Sequence, residues 1–239
     1  MHSPFVFNLV RDVFYSPHSY YAFETINVLR KELCRSDKFI EVQDYGAGSK
    51  RFNRRRRKVG HIARYSSIAP RYGELLYRLL CELQPNTVIE LGTSLGISGG
   101  YLGLSDTRRK VITIEGCAAT AALARTTFQR LGCDNVQQII GQFQDVLPSL
   151  LADLSSLDFV LFDGHHQKEA TLDYFNLCLT KAHNHSVFVF DDIHWSQGME
   201  EAWETICQHP RVTVSMDLFR LGIVFFRKEC QKQHFVVRY

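Results

Sequence analysis

What this chain of 239 residues lacks narrows its identity first. No apolar run approaches the roughly 20 residues needed to span a bilayer; the longest, at 187–190 and 223–226, have the length of strands, so no membrane span is expected. The opening Met1-His2-Ser3-Pro4-Phe5-Val6-Phe7 has neither the basic start nor the long apolar centre of a secretory signal, and the expected location is cytoplasmic. Seven cysteines (Cys34, Cys81, Cys117, Cys133, Cys178, Cys207 and Cys230) are odd in number, scattered and without a CxxC pair. That argues against structural zinc or a disulfide framework and for buried thiols. A net charge of +3 is too small to imply a nucleic-acid partner by itself. With 45% hydrophobic residues, the chain is long enough to bury the core of one substantial domain plus an extension.

The most informative stretch is Val88-Ile89-Glu90-Leu91-Gly92-Thr93-Ser94-Leu95-Gly96-Ile97-Ser98. An apolar, β-branched strand runs into two glycines and then a helix start, the form of a ligand-binding turn at a strand end. An acid precedes the glycines, and the third glycine of a dinucleotide fingerprint is absent. A carboxylate at Glu90 suits a cationic ligand better than a pyrophosphate.

Before this turn, 1–40 reads as two helical segments broken at Ser16-Pro17, with Phe5, Val6, Leu9, Val10, Val13 and Phe14 at helical spacing. They are expected to pack on the main domain or on a second subunit, and exposed apolar residues in the first helix fit a homodimer. The stretch 41–49 mimics a second glycine turn (Asp44, Gly46, Gly48), but it lacks a following helix. Instead comes a basic run, 50–58, containing Lys50, Arg51, Arg54, Arg55, Arg56, Arg57 and Lys58. It reads either as a solvated loop or as a lid that attracts an anionic substrate, a phosphate or RNA.

From residue 71 the pattern is regular. Strands are expected at 87–91, 111–115, 136–140, 158–162, 187–191, 211–217 and 221–227. A helix with Leu75, Leu76, Leu79, Leu80 and Leu83 on its apolar face ends before Pro85, and further helices fall near 97–105, 118–131, 144–154, 168–181 and 197–208. This alternation predicts an α/β three-layer sandwich around a seven-stranded, mostly parallel sheet of Rossmann-like form. The link 217–220 is too short for a crossover helix, so the last strand is expected to be antiparallel. The organisation is thus a helical extension with a basic loop over 1–70, acting as lid or dimer element, and a ligand-binding domain over 71–239.

An acid before the glycine turn and another closing the second strand (Val111-Ile112-Thr113-Ile114-Glu115) give the chain its resemblance to the class I S-adenosylmethionine-dependent methyltransferases. In motifs it is most similar to the catechol and caffeoyl-CoA type O-methyltransferases. The resemblance covers about 71–227. It implies an S-adenosylmethionine site built from Glu90, Gly92, Thr93, Ser94, Ser98, Glu115, Gly141, Gln142, Phe143 and Asp163. In that site Glu90 holds the methionine amino end, Glu115 accepts the ribose hydroxyls, Gln142 and Phe143 flank the adenine, and Gln144 bonds its edge. Ser94 departs from the glycine that many members carry.

Asp163 ends the fourth strand and Asp191-Asp192 ends the fifth, and strand ends of an open α/β sheet face one cleft. Three carboxylates form a hard-oxygen set, suited to Mg²⁺ or a similar divalent cation. The resemblance implies that such an ion would chelate neighbouring oxygens of a small-molecule acceptor, with Asp192 either ligand or structural residue. His166 stands where the catechol enzymes carry a catalytic lysine, and imidazole is a usable base near neutral pH; His165 is the alternative base, and His194 a neighbour of the substrate or metal. The expected activity is methyl transfer to a hydroxyl, with His166 and Asp163 catalytic. A metal-independent N-methyltransferase and a nucleic-acid-binding protein on the same scaffold are the alternatives.

Overall fold

The computed structural model describes residues 3–43, 45 and 55–239. Two helices open the chain. α1 (Pro4–Leu9) is capped by the Ser3 hydroxyl and runs on as a π-helical turn to Phe14; α2 (Tyr21–Arg35) follows the break at Ser16-Pro17. Next come β1 (Phe39–Glu41) and β2 (Arg56–Lys58), paired antiparallel with Ile40 opposite Arg57. They are followed by α3 (Val59–Tyr65) and α4 (Pro70–Leu83).

The main domain alternates β3 (Thr87–Leu91), α5 (Ile97–Leu104), β4 (Lys110–Glu115), α6 (Ala118–Leu131), β5 (Val136–Ile140), α7 (Phe143–Ala152), β6 (Leu157–Phe162), α8 (Lys168–Leu179), β7 (Ala182–Phe190) and α9 (Gln197–Gln208). β8 (Val214–Asp217), β9 (Gly222–Phe225) and β10 (Gln233–Val236) close it. The sheet order is β10-β8-β9-β7-β6-β3-β4-β5. β3 to β7 are mutually parallel, and β9 lies antiparallel between β7 and β8. The reversed strand expected from the short link is therefore present. β10 was not foreseen: it adds an eighth strand, parallel to β8, at an edge.

The basic run needs correction where it is described. Arg56 to Lys58 form a strand and 59–65 a helix, so a plain solvated loop does not extend through 58. The decoy turn at Asp44, Gly46 and Gly48, together with Lys50, Arg51 and Arg54, lies outside the described residues.

The central strands are apolar on both faces because helices cover both sides. On one side Val88, Val111, Phe159, Val187 and Ile223 pack with Leu75, Leu76, Leu79 and Tyr101; the N-terminal Val6, Leu9, Val13, Phe14, Phe23, Ile26 and Leu29 belong to the same cluster. On the other side Ile89, Ile114, Val160, Phe188 and Val224 meet Leu147, Phe175, Trp203 and Ile206. With both faces filled, open space is left at the carboxyl ends of the parallel strands.

Candidate active site

The glycine turn is fixed by a close approach. Gly92 has φ 111°, its N–H donates to the Ile114 carbonyl at 3.0 Å, and a Cβ built on it would lie 2.0 Å from the Asp163 carbonyl oxygen. No side chain fits between the ends of β3 and β6. Ser94 takes the left-handed conformation (φ 49°) that a glycine would take at less cost, and its N–H donates to Glu115 Oε2 at 2.7 Å. Gly96 then caps α5.

Glu90 lies beneath this turn, with 0% exposure. The Thr113 hydroxyl donates to its Oε2 at 2.6 Å and is itself 2.5 Å from the Thr93 hydroxyl; Oε1 has no hydrogen-bond partner among the described residues. Burial pushes its carboxyl up to about 7, against the pull of hydrogen bonds from Ser98 and Thr113. Glu90, Thr93 and Ser98 are thus a buried layer under the turn and do not line the cavity above it.

That cavity, of about 470 Å³, is lined at one end by Gly92, Ser94, Glu115, Gly116, Gln142 and Phe143. Besides Ser94, Glu115 accepts from the Cys117 N–H at 2.8 Å through Oε1, so the carboxylate is held by two backbone amides. Gly141 donates its N–H to the Glu115 carbonyl at 2.9 Å and sets where α7 begins; it is not part of the lining. Phe143 is 8% exposed, edge-on to His165 (5.4 Å) and Tyr174 (5.6 Å). Tyr45, beyond the β1 side of the hairpin, closes over Gly116.

At the other end lie Asp163, His165, His166, Asp191, Asp192, Trp195 and Arg220. His165 and His166 both have left-handed backbones (φ 67° and 42°), which fold the turn after β6 back on itself and bring His166 Nε2 within 3.9 Å of Asp163 Oδ1. Two consecutive non-glycine residues in this region are strained, a condition concentrated at functional sites. His165 Nδ1 is 2.8 Å from the Tyr174 hydroxyl and its ring stacks on that tyrosine, a packing position. His194 is held between Asp217 (2.9 Å) and Glu200 (3.3 Å) and lies off the lining, while His183 is bonded to Asp158 (2.7 Å). Of the two histidines weighed as base, only His166 combines the cavity with a contact to the acids, and His194, expected beside the substrate or metal, lies outside the lining.

The three acids converge as expected, but around an arginine. Arg220 donates through Nε to Asp191 Oδ1 (2.9 Å) and through Nη2 to Asp191 Oδ2 (3.0 Å), and Nε lies 3.6 Å from Asp192 Oδ1. Burial pushes Asp191 upward, yet the Arg220 fork holds it below the usual carboxylate range. Burial and the neighbouring Asp191 raise Asp163 well above that range. Burial and Asp191 also raise Asp192. This donor set does not fit a divalent cation: both oxygens of Asp191 are engaged by a guanidinium that does not lose its proton, and burial beside Asp191 disfavours the charged form of Asp163 that a cation would need. No group of three or more His, Cys, Asp or Glu among the described residues is arranged to hold a metal ion.

Sequence reasoning overlooked Arg220, Trp195, Tyr65 and Arg64 in the lining, and offered Arg57 only as part of the basic run. A signal for Arg220 was present: because β9 is antiparallel, the turn before it returns to the edge where β6 and β7 end.

Residues 89–193 match the family described as a methyltransferase domain. Among curated proteins, the chain is 26% identical over 129 residues to the O-methyltransferase hkm8 of Aspergillus hancockii (52% of this chain, 50% of that protein). It is 35% identical over 101 residues to the human transmembrane O-methyltransferase (40% and 35%). The chain spans half or less of the length of these relatives; no helix among its described residues is long and apolar enough to cross a membrane. Two solved structures share the fold across nearly the whole chain. The O-methyltransferase from Bacillus cereus, in complex with S-adenosylhomocysteine, has a TM-score of 0.63 at 18% identity (92% and 96% covered). TomG from Streptomyces achromogenes, in complex with S-adenosylmethionine, has 0.64 at 19% (95% and 100%). The Rossmann-like methyltransferase fold and the resemblance to O-methyltransferases both hold.

Proposed function

We propose that this chain is an S-adenosylmethionine-dependent methyltransferase acting on a hydroxyl group of a small-molecule acceptor. The observation that carries the reading is the turn at Gly92, where the backbone bends into a cavity walled by Glu115, Gln142 and Phe143, within the stretch that matches a methyltransferase domain. These residues fit the cofactor. The passage at Gly92 would be filled by any Cβ, and Glu115, steadied by two backbone amides, presents its carboxylate at the cavity wall where the ribose hydroxyls would lie. Phe143 and Gln142 flank the adenine position. Glu90 lies below, a buried carboxyl under the turn whose charged form a cationic cofactor would favour. When bound, the cofactor supplies an already activated methyl group, so the protein's work is positioning and proton removal.

His166 takes the acceptor's proton through Nε2, the nitrogen that faces Asp163, and its left-handed backbone sets that orientation. Trp195 and Tyr65 offer apolar walls for the acceptor. The finer expectation of a divalent cation is the weaker alternative, because Arg220 already neutralises the acids it would need.

The test is calorimetric binding of S-adenosylhomocysteine, followed by methyl transfer from labelled S-adenosylmethionine to a panel of hydroxylated acceptors, with wild type and His166→Asn compared. Asparagine tolerates the left-handed backbone, so the variant is expected to keep cofactor affinity and lose about 10²–10⁴-fold in turnover. Binding of NAD in place of S-adenosylhomocysteine would sink the assignment.

A further inference from the structure

The sequence offers Asp163, Asp191 and Asp192 as a cation site, and the fold delivers a cation of its own to them. We propose that Arg220 permanently holds the place a divalent ion would take among these acids, so that the site works without a metal. The last clause rests on the methyl-transfer reading above; the occupancy of the acid cluster does not.

Three observations carry this. First, the pairing is bidentate and buried: Nε and Nη2 of Arg220 reach the two oxygens of Asp191 at 2.9 and 3.0 Å, and Asp191 is 2% exposed. An ion binding Asp191 would compete with the fork for both oxygens and sit beside a guanidinium, which repels it.

Second, the arginine is built in. The turn Leu218–Leu221 is closed by the Arg220 N–H on the Leu218 carbonyl (2.9 Å) and by the Phe219 N–H on Asp217 Oδ1 (2.7 Å). The Arg220 carbonyl accepts from the Ile193 N–H (3.3 Å), next to Asp192 itself. The guanidinium carbon also lies 5.9 Å from the centre of the Tyr72 ring, on α4.

Third, the same cation reaches the second acid: Arg220 Nε also lies 3.6 Å from Asp192 Oδ1, so one guanidinium serves both carboxylates that follow β7. Arg220 is a positioning residue in this arrangement. It fixes Asp191, the charged neighbour of Asp163, and Asp163 in turn lies 3.9 Å from His166.

The experiment is Mn²⁺ titration of the full chain saturated with S-adenosylhomocysteine, read by electron paramagnetic resonance, on wild type, R220M, R220K and D191N. Wild type and R220K are expected to leave millimolar Mn²⁺ free. R220M, which strips the acids of their cation, is expected to bind it about tenfold or more tighter than wild type. Stoichiometric Mn²⁺ on the wild type that disappears in D191N overturns the proposal. A folded R220M that takes up no Mn²⁺ also overturns it, because the acids are then no latent cation site. Should R220M fail to fold, wild type and R220K decide alone. S-adenosylhomocysteine binding in the same samples, with EDTA or with Mg²⁺, is expected to be unchanged. Its absence in the wild type counts against the methyltransferase reading and leaves the Mn²⁺ result standing.

Discussion

A buried carboxyl carries the clearest single-residue consequence. Glu90 ionises near 4.5 when solvated, but is pushed up to about 7 in the fold. A group whose folded value is raised contributes stability that is fully present below its unfolded value and lost as pH climbs through the folded one. Glu90 should therefore cost the free protein on the order of 3 kcal/mol between about pH 4.5 and pH 7, with the loss complete above that window. Glu90→Gln removes the titration, so urea midpoints measured from pH 5 to pH 8 are expected to fall less in the variant than in the wild type. Equal slopes would show that Glu90 is not the group responsible. The residue was legible from the sequence as an acid at a glycine turn. Its depth was not, because the direction in which a strand-end carboxylate points depends on Thr113 of the next strand.

Secondary-structure elements were read from the sequence most accurately where periodicity and punctuation agree. α6 was placed at its observed bounds because its apolar spacing is bracketed by Cys117 and Gly132. Gly132 lies at φ 66° and closes the helix through its N–H to Gln129 and Phe128, with nothing within 4 Å of an added Cβ. Gly132→Ala is thus expected to cost only the left-handed strain, about 1 kcal/mol, and to leave S-adenosylhomocysteine affinity unchanged by calorimetry. A larger loss, or weakened binding, would mean that the end of α6 communicates with the site. β2 and β10 were missed for opposite reasons. The first is three cationic residues, whose strand geometry comes only from pairing with Phe39–Glu41; the second is a short, half-exposed edge strand with weak apolar contrast. The acid cluster was legible residue by residue, but its arginine belongs to a turn contributed from elsewhere in the sheet, so the metal expectation followed from an incomplete set.

Across the whole molecule, the division at residue 70 suggested by the sequence is not a division of the core. Val6, Leu9, Val13, Phe14, Phe23, Ile26 and Leu29 are buried in the cluster that holds Leu75, Leu76 and Leu79. At about 1.5–3 kcal/mol for each such side chain, their contribution rivals the whole net stability of about 5–15 kcal/mol expected of a domain. A fragment of residues 71–239 is therefore expected to lack a cooperative thermal transition, while the full chain melts in one step by calorimetry. A well-folded fragment would show that the helical extension is an accessory.

The position of β9 also sets when this core can close during synthesis. β9 fills the gap between β7 and β8, and Phe5 of α1, made more than 200 residues earlier, meets Phe225 of β9 edge-on at 5.0 Å. Until residues 222–225 leave the ribosome, the apolar edge of β7 has no partner and the opening helix lacks this part of its packing surface. A nascent chain stalled before Gly222 therefore exposes an adhesive strand edge. Productive folding of this core waits for β9, and its dependence on chaperones should peak just before β9 emerges.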